Sequence, residues 1–263
     1  MIKLAVTGAA GRMGKRIITL ATESGEFQLV GALEYDQCPL LGSDAGTIAG
    51  IGELGVKITV EPTVKPDIII DFSLPTGTEK WIKYCRDNKI ALVVGTTGLN
   101  ETQKATLKDA GSDIPILLGA NMSLGVNLLF KLVQDVASRL DEDYDIEIVE
   151  FHHRFKRDAP SGTALELGRH AAAGRDYNWP DCCQHGREGK DALREEKTIG
   201  MHAVRAGDII GEHSVYFSAL GETIELRHNA HTRDTFVRGA IKAAKWLSTQ
   251  KPGFYDMFSV LGL

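Results

Sequence analysis

No apolar run in the 263 residues approaches the roughly 18 that a membrane-crossing helix needs, so no membrane partner is expected. Cysteine is scarce. Cys38, Cys85, Cys182 and Cys183 are too few, in a chain this long, for the disulfide framework of a small secreted domain. Cys182-Cys183 followed by His185 is a poor metal site, because adjacent sulfurs rarely reach one tetrahedral ion and no second cluster completes the set. No metal is therefore expected. Nor does one sign of charge dominate: 30 Lys and Arg against 35 Asp and Glu leave a net charge of −5. Without an extended basic stripe, nucleic acid is excluded as the main partner. The chain enters an apolar strand at Ile2 with no charged prelude, which predicts a cytoplasmic protein without a signal peptide.

What is present is ordinary globular material, 43% hydrophobic and 25% charged, enough for one large domain or two modest ones. A strand over residues 2–7 runs into Gly8-Ala9-Ala10-Gly11-Arg12-Met13-Gly14 and then a helical pattern from Lys15. Glycines three apart at a strand-to-helix turn let the backbone approach a pyrophosphate and seat it on the helix N-terminus. Alone, this spacing also fits a plain tight turn. A second strand, 27–33, ends in Glu34, about 20 residues beyond Gly14, where a dinucleotide fold places the acid for the adenosine ribose. Residues 36–57 read as a loop with at most a short helix. Strands over 67–72, 90–94 and 114–118 then alternate with helices over 76–88 and 100–110, which predicts a parallel, doubly wound α/β sheet. Ligands lie outside the carboxyl ends of such strands. Gly95-Thr96-Thr97-Gly98 and Gly119-Ala120-Asn121-Met122 both fall at that edge, although each taken singly is more readily a plain turn.

Beyond a long apolar helix over 123–140 the character changes. A strand over 145–152 leads into Glu150-Phe-His152-His153-Arg154-Phe155-Lys156-Arg157, followed by Pro160-Ser161-Gly162-Thr163 and a helix over 163–173. A histidine exchanges protons near neutral pH, and a lysine is a compact cation for an anionic group. Ser161 or Thr163 can cap the helix, Thr163 with Glu166 having capping-box spacing, while Gly162 keeps the approach open. The free N–H groups would then face a carboxylate or phosphate. An ordinary capped helix after a polar loop is the plainer alternative. Residues 174–197 are irregular and charged, and strands over 198–206, 211–220 and 223–229 alternate as half-buried antiparallel strands. The helical spacing over 235–248 suits a return to the first domain. The expected plan is thus a nucleotide domain of residues 1–122 and 233–263, with a second α+β domain, 123–232, built on a mixed or antiparallel sheet.

These stretches resemble the 4-hydroxy-tetrahydrodipicolinate reductases, also called dihydrodipicolinate reductases. The likeness rests on VTGAAGRMG at Val6 to Gly14, DFS at Asp71 to Ser73, GTTG at Gly95 to Gly98, EFHHRFKRDAPSGTAL at Glu150 to Leu165 and RAGDIIGEH at Arg205 to His213. It spans essentially the whole chain. The resemblance implies a two-domain homotetramer that passes a hydride from NADH or NADPH to a cyclic dicarboxylate in diaminopimelate and lysine biosynthesis. Carried over by motif, His152 is the general acid and Lys156 its cationic partner, with His153, Lys156, Ser161, Gly162 and Thr163 contacting the substrate. Gly8, Ala9, Ala10, Gly11, Arg12, Met13, Glu34, Gly95, Thr96, Thr97, Gly119, Ala120, Asn121 and Met122 hold the cofactor. Phe155 departs from the pattern, since many members carry a third histidine there, and Tyr35 stands where members favouring NADPH often have a cation. Subunit contact is expected from Val215 and Phe217 or from Ile224 and Leu226. Two rivals remain on the residues themselves. One is a non-catalytic NAD-binding regulator, which needs no His–Lys constellation. The other is a phosphorylated-aldehyde dehydrogenase, which needs a nucleophilic loop cysteine, whereas Cys85 falls in a helix and Cys182-Cys183 has no obvious base.

Overall fold

The computed structural model describes residues 1–263 and divides the chain into two compact units, Met1–Leu124 with Asp234–Leu263, and Gly125–Arg233. In chain order the elements are β1 (Ile2–Thr7), α1 (Arg12–Ser24), β2 (Phe27–Leu33), α2 (Ala45–Ala49), β3 (Ile58–Thr59), β4 (Ile68–Asp71), α3 (Pro75–Asn88), β5 (Ala91–Val94), α4 (Glu101–Ala110) and β6 (Pro115–Leu118). There follow α5 (Leu124–Ala137), β7 (Asp145–His152), α6 (Gly162–Arg175), β8 (Cys183–His185), β9 (Ile199–Arg205), β10 (Glu212–Ala219), β11 (Glu222–Asn229), α7 (Asp234–Leu247), β12 (Gly253–Tyr255) and α8 (Met257–Leu261).

The first unit is a seven-stranded, wholly parallel sheet in the order β12-β6-β5-β4-β1-β2-β3. Its central strands are apolar on both faces because both are covered. Ile68 and Ile70 of β4 join one core with Ile17, Ile18, Val237 and Leu247, while Ile69 joins the other with Trp81, Ile82 and Leu107. Helix α7 completes the first of these cores, so the C-terminal segment belongs to this unit. Local signals set the helix ends. Asn100 and Gln103 form a reciprocal capping box at α4, Pro75 opens α3, and Gly25 closes α1 in the left-handed conformation at φ 67°. The short elements near the C-terminus leave no mark in the sequence pattern. β12 is three residues long and takes its place by pairing with β6, and α8 is a single short helix capped by Asp256.

The second unit is a five-stranded mixed sheet in the order β11-β10-β7-β9-β8. β10 pairs antiparallel with β7 and β11, as expected, but β9 runs parallel to β7 and β8 parallel to β9. The reason is the crossover: α6 carries the chain over one face of the sheet before β9 begins, and a crossover helix returns a strand in the same direction. The irregular stretch after α6 also contains β8, too short to show a period. Along β7, Ile146, Ile148, Glu150 and His152 all point to the covered face, so that face passes from apolar to ionisable within one strand. Val215 and Phe217 lie opposite Ile148 and Ile146, fully enclosed by the chain's own packing. Neither is free for subunit contact. Ile224 on the edge strand β11 remains 39% exposed.

Candidate active site

In the first unit the glycine turn joins β1 to α1. Gly8 has φ +65°, and a Cβ there would stand 2.4 Å from the carbonyl oxygen of Phe72, while a Cβ on Gly14 would stand 2.1 Å from that of Gly8. Only glycine lets the turn lie this flat. Gly11 is the N-cap of α1 and brings no side chain in front of it, so the first N–H groups of the helix are open to an anion. Glu34 accepts the Ala10 N–H through Oε1 at 2.9 Å, which ties the turn to the end of β2 and leaves Oε2 for a ribose hydroxyl. Gly8, Gly11, Glu34, Tyr35, Phe72 and Lys80 share the lining of one cavity of about 520 Å³. A turn, an open helix start and an acid around one hollow fit a pyridine dinucleotide.

The other predicted cofactor residues stand at the same strand ends with unequal freedom. Ala9, Thr96 and Met122 are buried, whereas Arg12, Thr97 and Ala120 are exposed and Met13 and Asn121 partly so. The Gly95 and Gly119 amides are already bonded to the Asp71 and Val94 carbonyls, so these two positions offer close approach instead of donors. A larger hollow of about 660 Å³ between α1 and α7, lined by Leu20, Ile241 and Trp246, touches neither the glycine turn nor a strand end.

The histidine cluster lies in the second unit and is built on a buried carboxylate. Glu150 is 0% exposed, and its side chain takes four contacts. Arg205 grips it with both terminal nitrogens, at 2.9 and 2.8 Å, the Ser161 N–H donates at 3.0 Å, and His152 Nδ1 stands 2.5 Å away. Burial pushes the Glu150 carboxyl upward, but the bonds from His152, Arg205 and Ser161 outweigh it and hold the group at about 2. An ionised carboxylate only accepts, so the Nδ1 of His152 must carry hydrogen. The nitrogen turned away from Glu150 is then Nε2. Gly211 leaves room beside it, since a Cβ there would stand 3.0 Å from Nε2.

Ser161, not Thr163, caps α6: its Oγ accepts from the Ala164 N–H at 3.2 Å and also meets His213 Nε2 at 3.1 Å. His213 packs edge-on against His152, with ring centroids 5.2 Å apart, and burial followed by repulsion from His152 pushes its titration down to about 3. It is therefore a neutral ring at neutral pH. Nothing lies within 4 Å of a Cβ built on Gly162, so the front of α6 is open, with Thr163 half-buried next to it. Lys156 Nζ pairs with Asp158 Oδ1 at 2.9 Å, and that hydrogen bond draws the Asp158 carboxyl below its ordinary value. Asp158 is mostly exposed, and such a pair is worth roughly 0–1 kcal/mol, so an incoming carboxylate can replace it. His153 stands next to this loop with Nδ1 buried and unpartnered. Phe155 is 80% exposed. Glu150, Arg205 and His213 had no assigned role from sequence. The available signal was a glutamate on the inward phase of an otherwise apolar alternation, Ile146, Ile148, Glu150.

Comparison with known proteins bears on the same two units. The family model described as dihydrodipicolinate reductase, N-terminus, matches residues 2–122, and the one described as dihydrodipicolinate reductase, C-terminus, matches residues 125–261. Proteins named 4-hydroxy-tetrahydrodipicolinate reductase from Geotalea daltonii and Hahella chejuensis are 49% and 45% identical, over 100% of this chain and 100% of each relative. Among solved structures, a dipicolinate-bound dihydrodipicolinate reductase from a Paenisporosarcina species aligns at TM-score 0.78 and 23% identity, covering 98% of each chain. An amine dehydrogenase from Mycobacterium smegmatis shares the fold at TM-score 0.57 and 14% identity, over 96% of this chain and 94% of that one.

Proposed function

The chain belongs to the dihydrodipicolinate reductase family, and from that premise we propose that it reduces 4-hydroxy-tetrahydrodipicolinate to tetrahydrodipicolinate in diaminopimelate and lysine biosynthesis, with His152 as the general acid. The observation that carries the proposal is the Glu150–His152 pair set beside the open start of α6. A bound NADH or NADPH supplies the hydride. Overall, one hydride and one proton are taken up and one water is lost. Hydride arrival at an unsaturated imine leaves a carbon electron-rich, and the Nε2 proton of His152 quenches it. Glu150, by holding Nδ1, fixes which nitrogen makes the donation. The two substrate carboxylates are held by Lys156, displaced from Asp158, by His153, and by Ser161, Gly162 and Thr163 at the front of α6. The test is consumption of NADH only when the heterocyclic dicarboxylate is supplied. Turnover without it, or none with it, overturns the assignment.

We further propose that NADH is accepted at least as well as NADPH. The free oxygen of Glu34 suits a 2′-hydroxyl and repels a 2′-phosphate. Tyr35 brings no cation, and Lys80, across the cavity, is engaged by the Val60 carbonyl at 3.0 Å and by the Trp81 ring. A kcat/KM for NADPH tenfold above that for NADH, about 1.4 kcal/mol of transition-state preference, would reverse this reading.

The same family premise, with the unpaired edge strand β11 and its exposed Ile224, supports a homotetramer assembled through the second domain. Sedimentation velocity at micromolar concentration is expected to show the four-subunit mass. A stable monomer would refute it.

A further inference from the structure

At the carboxyl end of β4, Asp71 is fully buried and ringed by hydroxyl groups. Thr7 and the Ser73 hydroxyl donate to Oδ1, the latter at 2.6 Å, with the Ser73 N–H at 3.1 Å. Thr78 and Thr96 donate to Oδ2 at 2.6 and 3.0 Å. No cation takes part in these bonds. Such a carboxylate is a hub: the four hydroxyls that bond to it come from three different pieces of the cofactor wall. Thr7 is the last residue of β1 before Gly8. Ser73 and Thr78 flank the start of α3, whose N-cap, Leu74, makes no side-chain cap bond. Thr96 lies in the loop after β5.

The residue after Asp71 works in the same place by contact. The carbonyl of Phe72 limits Gly8, as described above, and a Cβ on Gly95 would stand 2.3 Å from the Phe72 ring. Gly95 also donates its N–H to the Asp71 carbonyl at 2.9 Å. The end of β4 is thus wedged between two glycine loops, and the carboxylate ties both to α3.

We infer that Asp71 is a positioning residue for the pyridine nucleotide, setting the three strand-end loops of the cofactor cavity to one mutual geometry through its four hydroxyl partners. It does not touch the ligand, because no part of it is exposed. The inference rests on the cofactor half of the proposed function and not on the identity of the substrate. Its test is direct NADH titration by fluorescence, which needs no turnover, so its failure is distinguishable from failure of the substrate assignment.

Asp71→Asn keeps the shape but turns two N–H donors toward hydroxyls that already donate. It is expected to raise the Kd for NADH by about tenfold, the fold-change produced by losing one or two buried charge-assisted hydrogen bonds. KM for NADH should rise in step, with kcat at saturating NADH within threefold of the parent. A purely structural role predicts a lower melting temperature and an unaltered Kd in the folded protein, and a Kd within twofold of the parent overturns the inference. Should Asp71→Asn fail to fold, Thr78 supplies the second arm, since it is fully buried and touches Asp71 but cannot reach a ligand. Thr78→Val should weaken NADH binding and Thr78→Ser, which keeps the hydroxyl, should restore it. Equal Kd values for these two variants would overturn the inference as well.

Discussion

Replacing His152 with alanine is expected to lower kcat by about 10²–10⁴-fold while changing KM for the dicarboxylate little, because the role proposed for the imidazole is on a proton in the transition state and not on the carboxylates. Lys156→Ala should behave differently. A cation that holds a carboxylate in the ground state and also offsets developing charge will, when removed, raise KM and lower kcat together. Neither change should move NADH affinity, since the predicted cofactor residues all lie in the first unit. Steady-state kinetics of both variants, NADH titration and a thermal melt make the comparison. If a folded His152→Ala protein keeps parental kcat across neutral pH, the proton comes from His153 or from water, and His152 is a packing residue.

Glu150→Gln should be nearly as damaging, by a different route. An amide in this position can keep its oxygen toward Ser161 N–H, but its NH₂ then faces both Arg205 and His152 Nδ1 where two donors met a carboxylate. His152 is turned to the other tautomer, and its Nδ1 loses the carboxylate that held it. The expected fall in kcat is about 10²–10⁴-fold, the scale known for an amide placed behind a catalytic histidine. Arg205 also loses its buried partner, and breaking one side of a buried pair costs about 3–5 kcal/mol, or roughly 10 °C of melting temperature at this chain length. A folded Glu150→Gln with kcat within threefold of the parent would remove Glu150 from the mechanism.

The same group links stability to pH. The carboxyl of Glu150 lies at about 2 in the fold against an ordinary 4.5, so its contribution is fully present above pH 4.5 and disappears as pH falls through about 2. At ~1.4 kcal/mol for each tenfold change in proton affinity, that is on the order of 3 kcal/mol. His213, neutral in the fold down to about 3 against an ordinary 6.5, adds a loss with the same sign that begins below pH 6.5. Acid unfolding of the parent should therefore steepen below pH 4.5, and Glu150→Gln should lack that steeper limb while keeping the shallower one from His213. Identical acid limbs in the two proteins would contradict the assigned titrations.

Much of this was legible along the chain. The apolar runs at 68–70 and 91–94 announce strands buried on both faces, since only a doubly covered sheet needs an unbroken apolar run. The His-His-x-x-Lys and Pro-Ser-Gly-Thr stretches marked themselves by chemistry, because such residues seldom collect in a packed core. Short elements were not legible: two or three residues of β3, β8 or β12 carry no period, and they exist by pairing with a longer neighbour.

Glu150 shows where local reading stops. Its partners Ser161 and Arg205 lie 11 and 55 residues away, and Asp71 gathers hydroxyls 64 residues before it and 25 after. The sequence by itself determined the order of the longer elements, the family and the chemical types at the site, all of which depend on local periodicity and motif. The tertiary structure alone decided that β9 runs parallel to β7, that an inward glutamate orients His152, and that one aspartate ties three loops together. Those depend on which strand ends the sheets bring side by side, and a buried charge has to find its donors wherever the fold places them.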